Sequence, residues 1–200
     1  ISTIEGGMVV TSDSELHQVM VSMRSHGWSR DLVQDVRDSL TRRYQVSEFR
    51  NLYTFYFPGF NFRSTDLQAY IGLYQLAKLP EIVRIRQENF FSYRAELGGF
   101  WSQSSEVETL SSFAYGTALE NRDHVAGVLA DHSIQTRPLI CGNIGRHPFW
   151  LRHHSKQSLP VADWVHDNGI YLPNHANLTG EQIKIVSDIV NEFGIPSFPP

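Results

Sequence analysis

Between residues 112 and 194 short apolar runs alternate with stretches of helical periodicity, and Gly, Pro or a capping residue marks the changes. This alternation constrains the fold more than any other feature of the chain. A period of two buries one face of a strand, and a period near 3.6 buries one stripe of a helix. Strands are predicted over residues 112–119, 136–141 and 169–172, the last ended by Pro173. Helices are predicted over residues 122–132, with Val125, Val128 and Leu129 inward, and over 161–168. Thr179, with Gln182 three residues on, forms a capping box for a final helix. Ile183, Val186, Val190 and Phe193 share a face of that helix, and Gly194 ends it. These elements describe a small α/β unit.

The first half is less regular. Gly6 to Thr11 read as a short apolar strand after a glycine turn. Ser12 and Glu15 suit a capping box, and Leu16, Val19, Met20 and Met23 follow at helical spacing, which predicts a buried face. Gly27 is read as the C-terminal stop, so His26 is expected in the last turn. Residues 29–56 are polar and read as a solvated or covering loop, and Pro58-Gly59 marks a turn. A second helix starts at Thr65 or Asp66, with Leu67, Tyr70, Ile71 and Tyr74 on its face. Pro80 is expected to break or kink it. A further helix over 81–97 ends at Gly98-Gly99 and reads as a connection between domains.

Charge excludes some classes of function. With 17 basic and 21 acidic residues the net charge is -4, so no basic nucleic-acid face is expected. No apolar run is long enough to span a membrane. The lone Cys141 excludes an internal disulfide and fits a reducing, cytoplasmic setting. No HExxH pattern occurs, and no metal site is expected. The chain lacks an initiator Met and a signal-peptide pattern, and reads as a fragment or a processed product.

Four blocks carry a family resemblance: 3–11 (TIEGGMVVT), 24–28 (RSHGW), 58–63 (PGFNFR) and 66–69 (DLQA). In order and spacing they resemble the DegT/DnrJ/EryC1/StrS sugar aminotransferases. Residues 137–148 and 168–175 are similar to the 3-dehydratase branch of that family. The resemblance covers essentially the whole chain. It implies the C-terminal part of the type I aspartate aminotransferase fold: the end of a large pyridoxal-phosphate-binding α/β domain and a small C-terminal α/β domain. The implied division is 1–80 for the large domain, 81–99 for a connecting helix and 100–200 for the small domain.

The resemblance also implies roles. His26 matches an active-site histidine of the dehydratase branch, and imidazole suits proton transfer near neutral pH. Read alone, it is a histidine stabilised at a helix C-terminus. Asn61 matches a residue that reaches the cofactor phosphate of the neighbouring subunit, and a side-chain amide offers two donors for that task. Arg63 can pair with a phosphate or orient substrate. Asn143, Arg146 and His147 resemble residues lining a sugar-nucleotide pocket, as do Asn174 and His175. Polar turn and surface roles compete with each of these readings. Glu5 belongs to a Glu-Gly-Gly turn and reads as structural.

The implied cofactor is pyridoxal 5'-phosphate or pyridoxamine 5'-phosphate, and the implied substrate a GDP- or CDP-linked 4-keto-6-deoxy sugar of deoxysugar and lipopolysaccharide synthesis. In that branch histidine replaces the Schiff-base lysine, about two positions before the segment matching Ile1. The three lysines, Lys78, Lys156 and Lys184, sit in polar or helical contexts that do not desolvate an amine. The parent is expected to be a homodimeric 3-dehydratase, and this chain alone inactive. The alternatives are a pyridoxal-phosphate aminotransferase of the same family, and a non-catalytic interaction module.

Overall fold

The computed structural model describes all residues except 105, 106 and 108. The chain divides into two compact units, Ile1–Ala77 and Lys78–Pro200.

The first unit is helical. Helix α1 (Ser14–Met23) is capped by Asp13, whose carboxylate accepts from the backbone N–H groups of Glu15 and Leu16 at 2.9 and 3.0 Å. The cap therefore falls one residue after the expected Ser12; a carboxylate serves the role well and suits the positive helix end. Two helices, α2 (Gln34–Arg43) and α3 (Glu48–Asn51), occupy the stretch read as loop. Neither buries a residue, so neither shows a clear apolar period. Helix α4 (Asp66–Ala77) also buries nothing within the chain. The expected strand at 6–11 is absent: these residues belong to no ladder, and Met8, Val9 and Val10 are largely exposed. A strand needs a neighbour to take its backbone hydrogen bonds, and this unit has no sheet to supply one.

In the second unit, α5 (Leu79–Glu96) starts with Pro80 in its first turn, where the missing N–H costs nothing, so Pro80 opens this helix. Phe90, Tyr93 and Leu97 on and just beyond α5 are part of the unit's core. Three strands form an antiparallel sheet in the order β1 (Ala114–Ala118), β3 (Gly169–Pro173), β2 (Arg137–Pro138). Tyr115 pairs with Leu172, and Arg137 with Tyr171. Helix α6 (Arg122–Asp131) and helix α9 (Gly180–Phe193) pack against each other, and α9 also packs on α5. The core joins Tyr115, Leu119, Val125, Leu129, Ile170, Leu172, Ile183 and Val190 to the aromatic residues of α5. The capping box at Thr179 and Gln182 is present in both directions.

Strand β2 is much shorter than expected. Pro138 cannot donate to a ladder and tolerates only an edge position. The backbone then turns through positive φ at Ile140, Cys141 and Gly142, with Leu139–Cys141 in a 3₁₀ turn. Gly142 is needed at φ +60, since a Cβ there would sit 2.5 Å from the His166 backbone. The loop that follows contains a 3₁₀ turn (Ile144–Arg146) and a short helix α7 (Pro148–Leu151), then α8 (Pro160–Asn168).

Candidate functional site

Two groups of the predicted residues come together, one in each unit. In the first unit the chain after α1 turns back and pairs irregularly with residues 55–62. Ser25 bridges Asn61 and Trp28 bridges Phe55. The His26 N–H donates to the Phe60 carbonyl at 2.7 Å, and the N–H groups of Phe60 and Phe62 donate to Met23 and Arg24. Gly27 and Gly59 make this approach possible. A Cβ on Gly27, at φ +83, would lie 1.9 Å from the Phe57 carbonyl oxygen, and one on Gly59 would lie 2.2 Å from the Gly27 nitrogen.

His26 lies beyond the end of α1, at φ +62, rather than in its last turn. The helix-terminus reading of this residue therefore loses its geometric basis, because the macrodipole acts within the last turn. Its half-buried ring leans on Trp28, with centroids 4.6 Å apart, and neither ring nitrogen has a hydrogen bond among the described residues. The Arg30 guanidinium lies 4.1 Å above the Trp28 ring and 4.9 Å from that of Tyr53. Trp28 and Arg30 were not singled out by sequence reasoning, although Trp28 belongs to the block that carries His26. Asn61 and Arg63 are exposed, and the Arg63 Nε donates weakly to Asn61 Oδ1 at 3.4 Å. The Asn61 amide donors have no partner among the described residues.

In the second unit the 139–158 loop is anchored on α8. Asn143 is 2% exposed, and its side chain is fully occupied. The amide donates to Asp163 Oδ1 at 2.8 Å and to the Gln157 carbonyl at 3.2 Å, and Oδ1 accepts from the Gly145 N–H at 2.8 Å. Its observed work is to shape the loop. Arg146 pairs with Asp167 at 2.9 Å and with Asp163 at 3.5 Å. The hydrogen bond from Arg146 holds the Asp167 carboxyl below its usual range, and that from Asn143 does the same for Asp163. The His147 Nε2 lies 2.7 Å from the Cys141 carbonyl, and its ring meets that of His166 edge-on. Asp163 and His166 on α8 were missed by sequence reasoning; their three-residue spacing on a helix was the available signal. His175 stands apart from this loop, in an open cavity with Arg86 and Arg137.

None of the lysines is desolvated. Lys78 and Lys156 are exposed, and Lys184 pairs with Asp188 at 3.0 Å on the surface. Among the described residues no cluster of three or more His, Cys, Asp or Glu suits a metal ion, and no helix is long and apolar enough to cross a membrane.

A family model described as the DegT/DnrJ/EryC1/StrS aminotransferase family matches residues 1–191. The GDP-4-keto-6-deoxy-D-mannose 3-dehydratase of Yersinia pseudotuberculosis is 27% identical over 96% of this chain and 51% of its own length. The UDP-4-amino-4,6-dideoxy-N-acetyl-beta-L-altrosamine transaminase of Helicobacter pylori is 37% identical over 95% of this chain and 48% of its own. Among solved structures, the GDP-4-keto-6-deoxy-D-mannose 3-dehydratase of Escherichia coli with bound hydrated PLP superposes with a TM-score of 0.77 at 23% identity, covering 94% of this chain and 51% of that one. The chain thus spans about half the length of the curated relatives it matches, and its fold is the corresponding part of the aspartate aminotransferase fold.

Proposed function

Because this chain belongs to the DegT/DnrJ/EryC1/StrS aminotransferase family, we propose that it is the C-terminal part of a vitamin B6-dependent sugar-nucleotide enzyme, a 3-dehydratase of a nucleotide-linked 4-keto-6-deoxyhexose. Under this reading residues 1–80 end the large domain and 100–200 form the small one. The observation that carries it is the pairing of the His26 turn with the Asn61 segment. That pairing joins the backbone turn carrying His26, whose ring nitrogens are unbonded, to the segment carrying Asn61, whose amide has free donors.

The residues present fit one end of the cofactor. The Asn61 amide, exposed and undonated, would hold the phosphate of pyridoxal or pyridoxamine phosphate, and Arg63 would add charge. When bound, the cofactor supplies an amine for the sugar ketone and an electron sink for loss of the 3-hydroxyl. His26 would hold or pass a proton at a ring nitrogen, with Trp28 packed against the ring and the Phe60 carbonyl holding the His26 backbone N–H. Arg146 and His147 are assigned to the substrate, along with His175. Arg146 would meet a diphosphate only in competition with Asp163 and Asp167. Asn143 would act by holding the loop. The parent works as a homodimer in which Asn61 serves the neighbouring subunit. The lone exposed Cys141 is in keeping with a cytoplasmic enzyme.

A second reading, an aminotransferase making an amino sugar, is favoured by the transaminase relative at 37% identity. One assay separates the two. The full-length protein carrying this segment is supplied with pyridoxal phosphate, glutamate and GDP-4-keto-6-deoxymannose. A 3-deoxy sugar is the expected product. An amino sugar that keeps its 3-hydroxyl would transfer the protein to the second reading, and no turnover of any such sugar would sink both.

A further inference from the structure

We propose that His166 of α8 is a positioning residue for the 139–147 loop: the lone pair on its Nδ1 holds the loop in the shape that presents Arg146 and His147, and protonation of the ring releases it. The consequence for catalysis rests on the assignment of Arg146 and His147 to the substrate, whereas the consequence for the loop does not.

The turn needs holding. Ile140, Cys141 and Gly142 follow one another at φ 27, 57 and 60. A left-handed backbone is uncommon for any residue with a Cβ and an outlier for a β-branched one. Ile140 is 65% exposed, so burial of its side chain does not hold it there. Two histidines hold the turn, one on each side of Gly142. The His147 Nε2 lies 2.7 Å from the Cys141 carbonyl oxygen. A carbonyl only accepts, so this ring is the donor, and it can donate in both its neutral and its charged form. His166 works the other way. The backbone N–H of Asn143 donates to its Nδ1 at 3.2 Å. An N–H only donates, so Nδ1 must carry a lone pair, which an imidazolium lacks. Gly142 allows the approach, since a Cβ there would sit 2.7 Å from the same Nδ1. The base under the turn is fixed: the His166 carbonyl accepts from Arg122 Nη1 of α6 at 2.5 Å, and α8 packs on β3.

Charged and titratable groups lie on every side of the ring. Asp163 and Asp167 share its helix, Arg146, His147 and Cys141 are on the loop, and Arg122 comes from α6. From β3 there is only Tyr171, whose ring packs on Phe113, and Lys156 acts on Asp163. Arg146 engages both carboxylates of α8, and Arg122 pairs with Asp123. The partner at Nδ1 is a backbone N–H and not a carboxylate, so a proton there would set two donors face to face. The His147 ring, edge-on with centroids 5.9 Å away, adds repulsion when both rings are charged. The bond is therefore present while the ring is neutral and lost as it gains a proton, a change that imidazole makes between about pH 8 and pH 5. Asp163 and Asp167, both held below the usual carboxylate range, keep their charge throughout that window.

The test follows the Asn143 amide of the 200-residue chain by solvent-exchange NMR, corrected for intrinsic rates, from about pH 8 to pH 5. Protection is expected to fall about tenfold toward the acid end, the equilibrium equivalent of one hydrogen bond. His166→Asn supplies a side-chain acceptor that does not titrate, and should keep protection constant across the range. His166→Ala should give low protection throughout. In the full-length enzyme the KM for GDP-4-keto-6-deoxymannose should follow the same pattern: rising in acid for the unsubstituted enzyme, flat and low for His166→Asn, flat and high for His166→Ala. At each pH, kcat should differ little among the three. A histidine that only packed the helix would make the Asn and Ala variants behave alike. The proposal is overturned by Asn143 protection that does not change across the range, or by an acid loss that survives in His166→Asn. Exchange needs no turnover, so an enzyme inactive on this sugar removes the proposed reaction while the loop measurement still decides the role of His166. His166→Asn gives that decision even where His166→Ala fails to fold.

Discussion

The two units of this chain are of similar composition but satisfy their apolar residues differently. Lys78–Pro200 closes a core of its own, in which Tyr93, Tyr115, Leu129 and Val190 have no accessible surface. In Ile1–Ala77 the one buried hydrophobic residue is Leu32, and the other fully covered positions are mostly serines. That unit is held by polar contacts: Ser22 Oγ to the Trp28 carbonyl at 2.7 Å, Ser29 Oγ and Tyr56 OH to Asn51 Oδ1, and Arg30 Nε to the Leu52 carbonyl at 2.9 Å. Meanwhile α4 presents Leu67, Tyr70, Leu73 and Tyr74 to solvent, and Met8, Val9 and Val10 are bare. Patches of this kind on a soluble protein mark surfaces made to be covered. The comparison teaches that helices form in the first unit with little apolar burial of their own, while the second unit's elements close on a shared core.

The largest test of that contrast is a pair of truncations. Leu129→Ala in α6 should cost about 2–5 kcal/mol in denaturant unfolding, because it opens a cavity in a closed core. Leu73→Ala in α4 should stay within about 0.5 kcal/mol. Equal costs would mean that α4 has a partner in solution. Hydrogen exchange gives the next measure. Amides of β3 and α9 should exchange only through global opening, and those of α1 and α4 through local opening many-fold faster. Uniform protection would break the comparison.

Removing the capping box by Thr179→Ala should cost about 1 kcal/mol, read as a lowered midpoint with unchanged denaturant slope. The smallest effect concerns the loop. Asp167 and Asp163 have folded pKa values below their unfolded ones, so their contribution is present above about pH 4 and is lost as pH falls through the folded values. Arg146→Met should flatten this acid dependence for Asp167 but leave the part of Asp163 that comes from Asn143. An unchanged profile would show that the Arg146 pairs contribute nothing in solution, as exposed ion pairs often do.

Much of this was legible in the residues. The alternation from 112 to 194, the Thr179 capping box and the inward positions Val125, Leu129, Ile183, Val186 and Val190 follow from short-range pattern, since period, caps and turns are local physics, while Phe193, expected on the same face of α9, is exposed. The family was legible through the resemblance of whole sequence blocks. The contents of the candidate site were legible only as a list. Position came from the tertiary structure: the close approach at Gly27 and Gly59 joins His26 to Asn61, and α8 draws in Asn143 and Arg146. Neighbours distant in sequence, such as Asp163, carry no signal in the loop's own residues. The missing strand at 6–11 and the shortened β2 fail for different reasons. An apolar run specifies extended chain, but a ladder needs a partner with free backbone groups, and the 6–11 segment has none in its unit, whereas β2 has β3 beside it and is cut short by Pro138 and the positive-φ turn that follows.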